Sequence, residues 1–168
     1  MSRPCWQARL RQALRSRSSA PRVAVVGVGH ELNGDDAAGI AVARSLAGLP
    51  APHNRLLVID AGPAPENTTG LLRRFGPDLV LLVDAAQMGE LPGAIRWLDW
   101  RETDGISAST HTLPLHLLAR YLVTELGCDV ALLGIQPAAN TLDAPLSPAV
   151  SRAVASIVAD LSAALVPA

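Results

Sequence analysis

The sequence predicts an α/β fold: a three-layer arrangement of a mostly parallel five-stranded sheet with one antiparallel strand and helices on both faces. Three observations carry that expectation. Short apolar runs alternate with helix-length amphipathic stretches from Val23 onward, the pattern of strands joined by crossover helices. The first such unit has a glycine-rich turn between strand and helix, as open α/β sheets do. The link from Asp84 to Ile95 is too short to hold a crossover helix, so the strands on either side of it are expected to pair antiparallel.

Residues 1–22 hold six arginines and no acid. Within them Trp6, Leu10 and Leu14 recur every four residues, which aligns them on one helix face; Ser16 to Pro21 is polar and turn-forming. The expectation is a basic, flexible extension over residues 1–20, then one domain over 21–168. Strands are expected at Val23–Val28, Leu56–Asp60, Leu79–Val83, Ala94–Leu98 and Val130–Ile135, each an apolar run bounded by turn residues. Helices are expected at Asp36–Leu46, Thr68–Phe75, Leu115–Leu126 and Pro148–Leu165. The last has Ser147 as its N-cap and proline at the first helical position, where the missing N–H has no intrahelical partner to lose. Residues 99–112 read as a long irregular loop, often functional in a compact domain.

A chain of 168 residues with 49% hydrophobic content can bury one real core and is too short for two ordinary domains. Its apolar runs are strand-sized and fall short of the ~20 residues of a membrane span, and residues 1–20 lack the apolar core of a signal peptide. Cys5 and Cys128 form no metal or redox motif, which fits free thiols and a cytoplasmic location. Six of the fourteen basic residues and none of the fifteen acids fall in residues 1–22. The body is therefore acidic, which argues against nucleic acid as the main partner.

In open α/β sheets ligands sit beyond the carboxyl ends of the strands, and here those positions are acidic. The turn after the first strand, Gly27-Val28-Gly29-His30-Glu31-Leu32-Asn33-Gly34-Asp35-Asp36, ends in two adjacent carboxylates where one would suffice to cap a helix. Asp60 ends the second strand, Asp84 the third, and Gln136 follows the fifth. His111 precedes a helix at the end of the irregular loop. Asp36, Asp84 and His111 converge in such a sheet, and two carboxylates with one imidazole suit a divalent transition metal such as nickel or zinc. His30, inside the glycine turn, can approach the same cluster.

A dinucleotide site is the rival, since Gly27-x-Gly29 follows a strand and Asp60 ends the next. Leu32 stands where the third glycine belongs, and Asp35 and Asp36 would repel a pyrophosphate at the helix start. No Gly-x-Ser-x-Gly elbow supports a serine nucleophile.

Five segments in register, Gly27-Val28-Gly29 with Gly34-Asp35-Asp36-Ala37-Ala38-Gly39, Ile59-Asp60-Ala61-Gly62-Pro63-Ala64-Pro65-Glu66-Asn67, Val83-Asp84-Ala85 with Met88-Gly89, Thr110-His111-Thr112-Leu113-Pro114-Leu115 and Gly134-Ile135-Gln136-Pro137, resemble the hydrogenase maturation endopeptidases. The likeness covers roughly residues 22–165 and is nearest to the branch that processes the large subunit of the formate-hydrogenlyase type of nickel-iron hydrogenase. It implies a five-stranded twisted sheet between helices and a peptidase that removes the C-terminal extension of the large-subunit precursor once nickel is inserted. By the same resemblance Asp36, Asp84 and His111 contact the metal. Asp36 and Asp84 are expected to be the catalytic carboxylates, with either a carboxylate or the metal activating water, or the carboxylates acting alone with nickel as a recognition signal. Gly34, Asp35, Asp60, Gln136 and His30 are expected as substrate-binding positions. The nickel belongs to the substrate, so none is expected to stay tightly bound to the purified protein. His30 replaces the family's usual asparagine after the Gly-x-Gly. The partner implied is the precursor alone, with no nucleic acid or membrane, and a monomer is expected. Two alternatives stay open: a non-catalytic metal-sensing or chaperone protein of this fold, and a nucleotide-binding module.

Overall fold

The structure, a computed structural model, describes residues 5–17, 19–50, 54–103 and 113–166. Strands β1 (Val23–Val28), β2 (Leu56–Gly62), β3 (Leu79–Ala85), β4 (Ile95–Leu98) and β5 (Asp129–Ile135) form one sheet in the order β2-β1-β3-β5-β4. All neighbours are parallel except β4 and β5. The α-helices among the described residues are α1 (Trp6–Arg15), α2 (Ala38–Ala47), α3 (Thr69–Phe75), α4 (Leu115–Leu126) and α5 (Pro148–Leu165).

β1 and β3 are buried along their whole length, which is why their sequences are apolar runs, interrupted in β3 only by Asp84 near its end. Alternate residues nonetheless serve different cores. Val23, Val25, Leu79, Leu81 and Val83 pack with α1, α2 and α5 on one face, while Ala24, Val26, Val28, Val80 and Leu82 pack with α3 and α4 on the other. By length and composition α5 could cross a membrane, yet its stripe of Val150, Val154, Ile157 and Leu161 is buried against the sheet.

β4 departs from expectation. It is antiparallel, but its partner is β5 and not β3, because β5 lies between them. The link over residues 86–94 is long enough to step across one strand position, roughly 10 Å for two inter-strand spacings. The step leaves a central slot in which the apolar run of β5 is paired on both sides.

The N-terminal segment departs more. Residues 6–15 are helical and packed, with Trp6 and Leu10 buried in the same core as α2 and α5 and with Ala13 and Leu14 partly buried beside them. The four-residue spacing supplies an apolar stripe that the sheet can cover. Gln7 Nε2 donates to Asp160 Oδ2 of α5 at 3.0 Å. The Arg17 guanidinium donates to both carboxylate oxygens of Asp129, at 2.9 and 2.8 Å, and to the Gly127 carbonyl at 2.8 Å. The expectation of a flexible extension is corrected: residues 5–17 belong to the domain.

What positions the site is the close approach of α2 to the sheet. A Cβ on Gly39 would lie 2.1 Å from the Val83 carbonyl oxygen and 2.4 Å from that of Val28, and one on Gly27 would lie 2.2 Å from the Gly39 carbonyl oxygen. Glycine at both places lets the helix backbone rest on the ends of β1 and β3. The helix expected from Asp36 begins as the 3₁₀ turn Gly34–Ala37, which packs against β3 and leads into α2 at Ala38. The turn thus stands over the carboxyl ends of β1 and β3, where the winding of the sheet reverses.

Candidate active site

Of the six buried polar residues among those described, four are Asp35, Asp36, Asp84 and Gln136, all at this end of the sheet. Polar side chains are buried where partners or function hold them. Asp36 is fully buried in the 3₁₀ turn against β3. Asp84 is buried near the end of β3, one residue past Val83, which pairs with Gly27 of β1. The 3₁₀ turn and the end of β3 thus each bring one buried carboxylate to the mouth of the sheet, oxygen donors of the kind a divalent cation accepts. His111, the third residue of the expected set, lies outside the described residues. Among the described residues no three His, Cys, Asp or Glu side chains gather into a metal-binding group.

Asp35 serves a different purpose from its neighbour. Its Oδ2 accepts hydrogen bonds from the Ala138 and Ala139 N–H groups, at 2.8 and 3.1 Å, and from the Ser147 hydroxyl at 2.8 Å; Oδ1 accepts the Ser147 N–H at 2.7 Å. Its own N–H donates to the Ala139 carbonyl at 3.1 Å. Gly34 completes the contact, with a φ of 56° and no room for a side chain, since a Cβ there would lie 2.9 Å from both the Ala139 oxygen and the Thr141 nitrogen. Ser147 is the N-cap residue of α5 as expected, but its hydroxyl goes to Asp35 and not to the helix.

Burial alone would push the Asp35 carboxyl up, but the N–H groups of Ser147, Ala139 and Ala138 and the Ser147 hydroxyl more than reverse this and hold it below the ordinary carboxylate value. A depressed carboxyl stabilises the fold above the unfolded-state value near pH ~4 and loses that contribution as the pH falls through its folded value. The stability gap between wild type and Asp35→Asn, read from urea unfolding, should therefore be widest at neutral pH and narrow on acidification below pH ~4. A gap that is constant between pH 7 and 3 would mean that the charge of Asp35 contributes nothing.

Gln136 braces the segment that follows β3. Its Oε1 accepts the N–H groups of Met88 and Glu90, at 2.7 and 3.3 Å, and its Nε2 donates to Gln87 Oε1 at 2.8 Å and to the Pro137 carbonyl at 3.3 Å. Gln136→Ala should cost about 1–3 kcal/mol, because two partly buried N–H groups lose their acceptor. Faster amide exchange at Met88 and Glu90 should accompany the loss, and unchanged exchange there would remove the brace from the account.

Asp60 accepts Arg44 Nε at 2.8 Å and the Gly62 N–H at 3.2 Å, and Arg44 also reaches Glu31 at 2.8 Å. That chain of contacts ties the glycine turn to α2 and β2 at the surface. His30 is exposed, with Nδ1 accepting the Leu32 N–H at 3.3 Å. Sequence reasoning missed Ser147, Gln87 and Arg44 as partners. Only Arg44 left a signal, a cation one helix away from two acids.

Comparison with known proteins decides the family. The sequence model for hydrogenase maturation proteases of the HycI type matches residues 40–164. The chain belongs to the hydrogenase maturation protease family. It is 37% identical to the hydrogenase 3 maturation protease of Escherichia coli K12 over 131 residues, 77% of this chain and 82% of that one. A putative hydrogenase maturation protease of Methanocaldococcus jannaschii is 34% identical over 122 residues, 69% of this chain and 72% of its own. The crystal structure of the [NiFe] hydrogenase maturation protease HycI from Thermococcus kodakarensis KOD1 superposes with a TM-score of 0.83 at 31% identity, covering 93% of this chain and 97% of that one. This maturation protease is thus a hydrolase with the five-stranded α/β fold of its relatives.

Proposed function

We propose that this protease removes the C-terminal extension of a nickel-iron hydrogenase large-subunit precursor after nickel has been inserted, and that Asp36, Asp84 and His111 meet the substrate-borne nickel. The supporting observation is the pair of buried carboxylates that Gly27 and Gly39 bring to neighbouring strand ends in a chain of this family. Carboxylate oxygens and an imidazole nitrogen are donors that nickel accepts. The metal would dock the precursor's tail, and Asp36 or Asp84 would take a proton from the water that attacks the peptide carbonyl; that proton then leaves on the released amine. Catalysis in the cytoplasm by a monomer is part of the same proposal.

The test is to incubate the protein with nickel-loaded and nickel-free precursor and read each product by intact mass. Loss of the tail from the nickel-loaded form alone supports the reading. Efficient cutting of the nickel-free precursor refutes nickel gating, and an uncut nickel-loaded precursor refutes the assigned substrate.

A further inference from the structure

We infer that Asp35 is a positioning residue for the reaction: its carboxylate closes the neck of the segment 138–147 and locks that segment to the turn that carries Asp36. The inference rests on the protease reading above and adds to it a residue that works without touching substrate.

The carboxylate gathers donors from both ends of the segment, Ala138 and Ala139 at one and Ser147 at the other. The residues between them emerge as a closed loop, with Leu142 exposed at its surface. A second rung, from the Asp143 N–H to the Leu32 carbonyl at 2.8 Å, ties the loop to the glycine turn on the other side of Asp35. Together with the backbone bond from Asp35 to Ala139 and the side-chain-free contact at Gly34, these links hold the turn from behind. Asp36 follows directly in the chain, so its backbone inherits the restraint.

Two features separate this role from its rivals. The carboxylate accepts four hydrogen bonds, three on Oδ2 and one on Oδ1, in a residue that is 1% exposed. Burial and the donors already gathered on both oxygens set it apart from a group that meets substrate. Three of the four partners are backbone N–H groups, one of them on Oδ1 and two on Oδ2, so whichever way an asparagine is turned its amide nitrogen faces at least one N–H. A device of this kind, set one residue before a buried acid at the mouth of the sheet, controls where that acid stands. Small displacements at such a place are costly to the chemistry, on the order of 100-fold per ångström.

The experiment compares wild type, Asp35→Asn and Ser147→Ala, each assayed on nickel-loaded precursor well below its own melting transition, with amide exchange measured on the protease alone. Asp35→Asn should lower kcat on the order of 100-fold with KM within about twofold of wild type, and Ser147→Ala, which removes one donor of four, should lower kcat roughly threefold to tenfold. The amides of Ala138, Ala139 and Ser147 should exchange faster in Asp35→Asn. A raised KM at unchanged kcat overturns the inference in favour of substrate contact. An unchanged kcat in a folded but less stable variant reduces Asp35 to a stabilising residue. Should Asp35→Asn fail to fold, Ser147→Ala decides, and a wild-type kcat there overturns the inference. If wild type itself cuts no precursor, the protease reading fails separately, and exchange at the three amides decides the clamp: faster exchange supports it, unchanged exchange removes it.

Discussion

Asp36→Ala, Asp84→Ala and His111→Ala should each abolish processing of nickel-loaded precursor, with a fall in rate on the order of 10³-fold or more, while the protein stays folded. The size of the effect follows from the proposed division of labour. Asp36 and Asp84 are buried at the mouth of the sheet, and a base that moves a proton in the rate-determining step contributes about 10²–10⁴-fold by itself. Loss of a metal contact adds to that by misplacing the tail. The fold should tolerate the changes, because polar side chains at the mouth of the sheet carry little of the apolar core, and the net cost should stay within about 1–2 kcal/mol. Circular dichroism and melting curves check the second half of the prediction. Any one of the three variants that cuts at a tenth of the wild-type rate takes its residue out of the site, and a variant that unfolds makes that residue structural.

Removing residues 1–17 should destabilise the domain strongly, and Leu10→Ala should reproduce much of the effect. Leu10 is 2% exposed and Trp6 6%, both in the core that includes α2 and α5. Truncation of a buried leucine costs about 2–5 kcal/mol, the transfer term plus the cavity left behind. For a domain of this size each kcal/mol lowers Tm by about 2–4 °C, so Leu10→Ala should melt roughly 5–15 °C below wild type. Exposed Arg11→Ala is the control and should melt with wild type. A truncated protein that melts within about 2 °C of the full chain would show that α1 packs without contributing. The helix packs beside β4, and Arg17, just after it, pairs with Asp129 at the start of β5, the end of that strand away from Asp36 and Asp84. Purified Leu10→Ala at low temperature should therefore cut at the wild-type rate.

How much of this was legible in the sequence depends on how local the cause is. The strands and helices were readable because burial on both faces writes itself as apolar runs at Val23–Val28 and Leu79–Val83, and because Gly and Pro mark the ends. The strand neighbours were less so. A short link fixes the direction of β4 but not its partner, and only the later arrival of β5 determines which strand fills the slot. For α1 the apolar spacing was visible, yet six arginines around it suggested solvent; long cationic side chains can lie along a surface while a narrow stripe beneath them is buried. At the candidate site the acids at strand ends were visible, since the position of a strand end is itself local. Their separate tasks were not. The distinction between Asp35 and Asp36 is made by Ala138, Ala139 and Ser147, more than a hundred positions away, and no pattern in the turn announces them.

The neck that Asp35 closes has a consequence for how such an enzyme can diversify. The segment is held at its base and again at Asp143, so length and composition can change at the exposed stretch around Leu142 while Ala138, Ala139 and Ser147 keep their places. Doubling the length of a flexible loop costs only about 0.6 kcal/mol in closure entropy. The segment is thus a cassette that could be exchanged between relatives, transplanting the loop without moving the acids beside it.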